Sequence, residues 1–445
     1  MWKSRPPASA RATCTTCKSP KRLPITAPTD KPAVPALGRP AAMRFIMIAV
    51  LIDMVSIGLM IPVLPHLVGQ FTHSQADQAF WFGAMMFAFG IANFFGAPIL
   101  GALSDRYGRR PVLLIGFCGL AFTFFMTAAA HSLWMLVLVR LIGGAMQANI
   151  AVANAYVADI TPAQDRARRF GLLGAMMGLG FILGPALGGI LGDVDLRLPF
   201  VASGSLAVLN WIYGYFVLPE SLTADKRSPF VWRKANPVSA LLGLIDLRGV
   251  APLIAVIALS TLAQFMLHST WVLYTSFKFG WGPRETGWSL MVVGVVSVLM
   301  QGVLLKHVLK RISPQRLAVI GMCSATVAYA AYGMATESWM LFVIIALNMF
   351  SAATGSTLQS IVSGAADEGI QGRTMGAVSS INSMMAILAP VAGAGMLALV
   401  SQAPRGDIRL GLPFFVGSLI QLLALGLAVW HFQRQRALRA GISSV

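Results

Sequence analysis

The chain is poor in charge. Only 11% of its 445 residues are Asp, Glu, Lys or Arg, with 16 acids against 34 bases. Globular soluble proteins carry about 25% charged residues, so water cannot be the solvent for most of this chain. Cysteine is scarce too. Cys118 and Cys323 stand singly in apolar runs and read as small core residues. Cys14 and Cys17 form one Cys-x-x-Cys with no second pair and no histidine. One pair cannot complete a tetrahedral metal site, so neither a metal nor another cofactor is expected. No Gly-x-x-x-x-Gly-Lys-Ser/Thr stretch is present to cradle a nucleotide phosphate. No base–nucleophile pair stands out, which argues against an enzyme.

What the chain has in abundance is apolar length. It is 56% hydrophobic, with mean hydropathy +0.72. A helix crossing a bilayer needs about 20 apolar residues. Twelve runs meet that need: 45–67, 80–102, 112–130, 133–157, 170–192, 199–218, 250–276, 286–305, 317–335, 338–362, 374–400 and 411–432. The fold expected is therefore an all-α membrane protein with twelve transmembrane helices. The net charge of +18 is unevenly spread. With the N-terminus placed inside, 28 of the 34 bases fall in the tails and loops of the inner face. That is the positive-inside bias, and it puts both termini in the cytoplasm. It explains the basic charge without nucleic acid, for which no groove-reading module is visible.

The spans group into two halves. At an offset of 205, Trp134-Met135-Leu136 matches Trp339-Met340-Leu341, Ile115-Gly116 matches Ile320-Gly321, and Gly171 and Pro185 match Gly376 and Pro390. One register across three helix pairs implies two six-helix bundles, 44–219 and 250–432, related by an axis along the membrane normal. Between them lies a polar, basic cytoplasmic linker, 220–249. Residues 433–445 form a cytoplasmic tail. Segment 1–43 is basic and proline-rich with a single acid, Asp30. It cannot bury a core and reads as a disordered tail or an upstream start-site extension, since Met43 lies just before the first span. A monomer in the lipid bilayer is expected.

A few polar residues stand out against this background. Residues 101–111 read Gly-Ala-Leu-Ser-Asp-Arg-Tyr-Gly-Arg-Arg-Pro, a loop too short for a soluble domain. Within the spans, Asp53 is the one deeply placed acid. A carboxylate at mid-bilayer costs about 2.5–3.5 kcal/mol, so its neutral, protonated form becomes accessible. Arg140 in span 4 is the deeply embedded base that could pair with it, which makes Asp53 and Arg140 candidates for proton coupling. Polar residues recur at helical spacing: Arg140, Gln147 and Asn154 in span 4, Gln264, His268 and Trp271 in span 7, Ser297 and Gln301 in span 8, and Asn348 and Gln359 in span 10. Polar stripes in lipid must face protein or a water-filled cavity, so these are candidate cavity residues. Span 5 holds Gly180-x-x-x-Gly184-Pro185-x-x-Gly188-Gly189, whose small residues let helices approach closely.

The pattern Gly101-x-Leu-x-Asp105-Arg106-x-Gly108-Arg109-Arg110 resembles the loop between helices 2 and 3 of the major facilitator superfamily. The Gly-Pro-x-x-Gly-Gly of span 5 resembles the antiporter signature of drug:proton exchangers. Asp53-Met-Val-Ser-Ile-Gly-Leu-Met-Ile-Pro-Val-Leu-Pro65, Ala155-Tyr-Val-Ala-Asp-Ile-Thr161 and Leu218-Pro-Glu-Ser221 look like the tetracycline-resistance branch. The resemblance implies a proton-coupled exporter of small amphipathic organic compounds in the bacterial inner membrane, working by alternating access. A metabolite or sugar-analogue carrier of the same superfamily is the alternative. It further implies gating by the 2–3 loop. Asp105 would cap the start of helix 11 near Arg373–Gly376, and Arg109 would pair with Asp159. Three positions depart. Where the branch carries Asp in span 3, His in span 8 and Asp in span 9, this chain has Thr123, Ser297 and Ala325, so tetracycline is expected to be a poor substrate.

Overall fold

The computed structural model describes residues 38–147, 149–230, 251–365 and 371–442. Cys14, Cys17, most of the N-terminal segment and linker residues 231–250 lie outside the described residues. Among the described residues, twelve helices are long and apolar enough to cross a membrane. They are α1 (Ala42–Gly69), α2 (Gln75–Tyr107), α3 (Arg109–Ala128), α4 (Leu133–Ile160), α5 (Arg168–Val194) and α6 (Leu198–Val217), then α7 (Ala251–Phe279), α8 (Pro283–Val308), α9 (Pro314–Met334), α10 (Ser338–Gly364), α11 (Thr374–Val400) and α12 (Ile408–Gln435). Each of the twelve apolar runs falls in one of these spans, and residues Arg39–Val445 form one compact unit.

Local chemistry starts the helices. Ser74, Ser132 and Ser313 accept hydrogen bonds from Asp77, Met135 and Arg316 backbone N–H groups at the first turns of α2, α4 and α9. Such caps satisfy donors that have no partner inside the helix. Polar groups also tie α1 to α6: Ser203 donates to the Ser56 carbonyl at 2.9 Å, and Asn210 to the Ala49 carbonyl at 3.1 Å. The exterior is apolar, with Phe216, Leu347 and Leu399 more than 70% exposed, as a lipid-facing surface requires. Cys118 and Cys323 lie on this exterior. They are not core residues as the sequence suggested, because an apolar run in lipid has no single buried face.

Five spans depart from regular α-helix. α1 is two segments, Gly38–Met60 and Leu64–Gly69, and α12 opens with a 3-10 turn, Ile408–Gly411. α4 is two segments, Leu133–Met146 and Asn149–Ile160, with Gln147 outside both. α8 contains a π-helical turn, Leu299–Leu304, and α10 a 3-10 turn, Asn348–Ala353. Gln147, Gln301 and Asn348, all singled out as polar residues in apolar runs, sit in these irregular turns.

Candidate functional site

At the end of the bundle where α2 meets α3, Gly108 has φ +108°, a backbone conformation that other residues rarely adopt. It lets the chain turn at once into α3. The Glu220 carboxylate fills the space a side chain would take, accepting from the Arg109 and Arg110 N–H groups at 2.8 and 3.2 Å and from Leu222 N–H at 3.0 Å. Glu220 therefore caps α3, whose N-terminus carries partial positive charge. The buried Arg109 guanidinium meets three oxygens: the Asp105 carboxylate, Asp159 Oδ2 at 3.2 Å and the Ser104 hydroxyl at 2.6 Å. The expected Arg109–Asp159 pair is present.

The expected Asp105 cap on helix 11 belongs to the outward-open state, and residues 366–370 before that helix lie outside the described residues. The Asp105 side chain is held by Arg109, and its carbonyl accepts from Ser228 N–H at 3.1 Å. A side chain four residues away on the adjoining turn is nearer to hand than a separate helix. Arg110 donates to the Tyr215 carbonyl at 2.7 Å, while Arg106 lies over the Tyr107 ring. Gly101 meets nothing within 4 Å of a would-be Cβ, so packing does not require glycine there in this arrangement.

Deeper in the first half, Asp53 is the only buried acid among the described residues. Its partner is Asn149, whose amide donates to Asp53 Oδ1 at 3.3 Å. Gly116 makes room, because a Cβ there would collide with the Asn149 side chain. Arg140 is buried as well, but no ion pair joins it to Asp53. Its Nη2 lies against the Met60 sulfur and its Nε has no partner. The pairing expected from the sequence is absent because Arg140 and Asn149 lie on the two separate segments of α4, and Asn149 takes the place beside Asp53.

The span 5 motif faces two ways. A Cβ on Gly184 would lie 2.6 Å from the Gly58 Cα, and Gly180 and Gly188 press equally closely on Met54 and Leu59 of α1. Gly189 faces the other half: a Cβ there would lie 2.7 Å from the Pro283 carbonyl oxygen and 3.0 Å from the Gly287 Cα of α8. A Cβ on Gly287 would collide with the Pro185 carbonyl oxygen, and one on Gly83 of α2 would lie 2.9 Å from the Ala394 Cβ of α11. Both seams between the halves, α5–α8 and α2–α11, are thus tight at the end away from Gly108. Toward the Gly108 end the glycines have more room: a Cβ on Gly171, Gly174, Gly302 or Gly376 would meet nothing within 4 Å. Arg284 and Asp193 add an exposed ion pair at 3.8 Å across the tight end.

Between the halves lies a cavity of about 1050 Å³. Gln264, His268, Trp271, Ser297, Gln301 and Asn348 line it, as the stripes predicted. Gln147 and Asn154 do not, because the break in α4 ends the helical register on which their placement was based. Gln359 lies instead in an adjoining chamber of about 210 Å³. Neither Asp53 nor Arg140 lines it, and Arg140 touches the lining residue Met60. The walls differ in chemistry. The first half offers Met60, Met86, Phe89, Phe94 and Phe181, with Asn93 its single amide. The second half adds Ser379, Ser380, Asn382 and Ser383 of α11, a stripe the sequence reading passed over although Ser379-Ser380-Ile-Asn382-Ser383 spells it out. Among the described residues, no Asp, Glu, Lys or Arg lines the cavity.

Residues 46–440 match the profile of the Major Facilitator Superfamily. The chain is 34% identical over 384 residues to the tetracycline resistance protein, class C, of Escherichia coli, covering 86% of this chain and 95% of that one. It is 31% identical over 381 residues to the class D protein of Salmonella ordonez, covering 86% and 93%. Among solved structures, the nucleoside transporter NupG superposes with a TM-score of 0.72 at 14% identity, over 88% of this chain and 99% of that chain. With twelve membrane-length helices matched from end to end by relatives at this identity, the chain belongs to the major facilitator superfamily, in its tetracycline-resistance branch.

Proposed function

We propose that this protein exports small amphipathic organic compounds across the bacterial inner membrane in exchange for protons, with both termini in the cytoplasm. The observation that carries the reading is Asp53: the one buried acid among the described residues, in a protein whose two halves enclose a cavity large enough for a drug-sized molecule but do not place that acid in it. Such a carboxylate can take up a proton from one side and release it to the other without touching the substrate. The cavity opens toward the Gly108 end, which the distribution of bases makes cytoplasmic. The arrangement is therefore an inward-open one, with the span 5 motif closing the outer seam. In the outward-open state the loop network of Asp105, Arg109 and Asp159 would lie against the second half. Export needs no nucleotide, since a potential of 100 mV supplies about 2.3 kcal/mol per charge.

The test is Asp53→Asn, which keeps the shape of the side chain and removes its titration. In inverted vesicles energised by a pH gradient, substrate accumulation is expected to vanish while insertion and equilibrium binding persist. Normal gradient-driven accumulation by this variant would refute the proton-site assignment.

A further inference from the structure

The two halves neutralise their bases differently at the Gly108 end. In the first half, carboxylates stand among the bases of the α2–α3 junction. Asp105 and Asp159 hold the Arg109 guanidinium, and Glu220 accepts from the Arg109 and Arg110 N–H groups. The second half has lost all three. At the repeat offset of 205, Asp105 falls at Lys310 and Asp159 at Gly364. α6 and α12 both carry Leu-Pro-Phe near their starts, at 198–200 and 412–414, and in that register Glu220 falls at Arg434.

What remains there in the second half is basic and unpaired. Lys306, Lys310, Arg311, Arg316 and Arg434 are exposed, and none has an ion pair among the described residues. The described acids of this half are Glu285, Glu337 and Asp407, which stand at the starts of α8, α10 and α12, at the opposite end. α9 and α12 meet where the bases lie. Ala318 and Phe432 share one buried cluster, and Arg316 and Arg434 are each two residues from one of them. Apolar side chains border the patch. Val303, Leu309 and Trp430 are 53%, 41% and 49% exposed. The Arg434 guanidinium lies over the Trp430 ring, 5.5 Å from its centre. Tryptophan and long basic side chains together mark the depth at which headgroups meet acyl chains.

We propose that this face binds an anionic phospholipid, with its phosphate among the five bases and its acyl chains along Val303, Leu309 and Trp430. The positive-inside bias accounts for bases at this end of both halves. It does not account for carboxylates that answer them in one half and are replaced in the other. A phosphodiester supplies the missing negative charge at the depth where the bases stand. A free anion would answer the charge but leave the apolar border without a partner, so the occupant is lipid. The inference does not depend on what the cavity carries.

Dioleoylphosphatidylglycerol and dioleoylphosphatidylcholine provide the probes, since they share acyl chains and differ in headgroup charge. Binding of each to the purified full-length chain in detergent is measured by native mass spectrometry. One base near an anionic lipid surface is worth about a fivefold change in affinity, and two about 25-fold. The wild type is expected to prefer phosphatidylglycerol by about 25-fold or more. Lys310→Gln with Arg311→Gln should weaken phosphatidylglycerol by about 25-fold and spare phosphatidylcholine. Arg168→Gln with Arg169→Gln removes the same charge from the start of α5, at the same end of the first half, and should leave the preference near wild type. Lys310→Arg with Arg311→Lys keeps the charge and should keep the binding. Excess inorganic phosphate should not displace the lipid. The proposal is overturned by equal affinities for the two lipids in the wild type or by equal losses in the two glutamine pairs. Displacement by inorganic phosphate would overturn it too, by making the face a site for free anions.

Discussion

Glu220 and Asp105 are carboxylates at the same end of the bundle, and among the described residues it is Glu220 that reaches a helix terminus. It holds three backbone N–H groups, two of them at the start of α3. Loss of such a cap costs about 0.5–2 kcal/mol. Glu220→Ala should therefore lower the melting temperature of the purified protein. Asp105→Asn, which loosens Arg109 but leaves α3 capped, should spare melting and substrate binding while slowing transport. A thermal melt and a binding assay on both variants separate the roles, and the opposite pattern would reverse them. Asn149 is the other residue that matters at this scale. Hydrogen bonds to charged groups are worth about 1.5–3 kcal/mol. Asn149→Ala should cut gradient-driven export by about tenfold or more while equilibrium binding stays near wild type. Export at the wild-type rate would show that Asp53 does not depend on this amide.

Among the elements, α5 has the clearest division of labour. Gly184 and Gly189 are five residues apart in one motif, but one packs inside the first half and the other on the second. Overpacking a close contact costs about 1–3 kcal/mol. Gly184→Ala should thus weaken the first half itself and lower melting. Gly189→Ala should leave melting nearly unchanged and separate the outer ends of α5 and α8, read as a longer spin-label distance across that seam and as lost export. Equal melting losses for both would deny the seam a separate role. The existence of these helices was legible in the sequence, because a span announces itself by apolar length, and so was the approach of small residues. The breaks were not. Gln147, Gln301 and Asn348 were visible as polar residues in apolar runs, but a 3.6-residue period assumes regular helix and cannot foresee a turn that changes register. The assumption misplaced Gln147 and Asn154, and it hid Asn149. The Asp105 cap is an expectation for the outward-open state; in the present arrangement a carboxylate one turn from Arg109 has a local partner in it.

For the whole molecule, the two walls of the cavity constrain what can be carried. The positions at which the branch implies titratable groups are Thr123, Ser297 and Ala325. Thr123 is buried, its hydroxyl donating to the Leu120 carbonyl at 3.0 Å. Ser297 lines the main cavity and Ala325 the side chamber, so these two lie where a ligand would pass. Among the described residues, the cavity they help to form has no charged side chain, and a charged, metal-chelated tetracycline would enter it without a counter-charge from them. Each polar contact left unmade costs about 1–3 kcal/mol, or roughly 5- to 150-fold in affinity. A pump-deficient bacterial host expressing this chain should therefore gain little tetracycline resistance beside the same host expressing the class C protein at matched levels. Replacing Ser297 by His and Ala325 by Asp together should raise that resistance, because both changes face the continuous space between the walls. Resistance from the unaltered chain equal to that of the class C protein would mean that the neutral wall chemistry does not govern which molecules are exported.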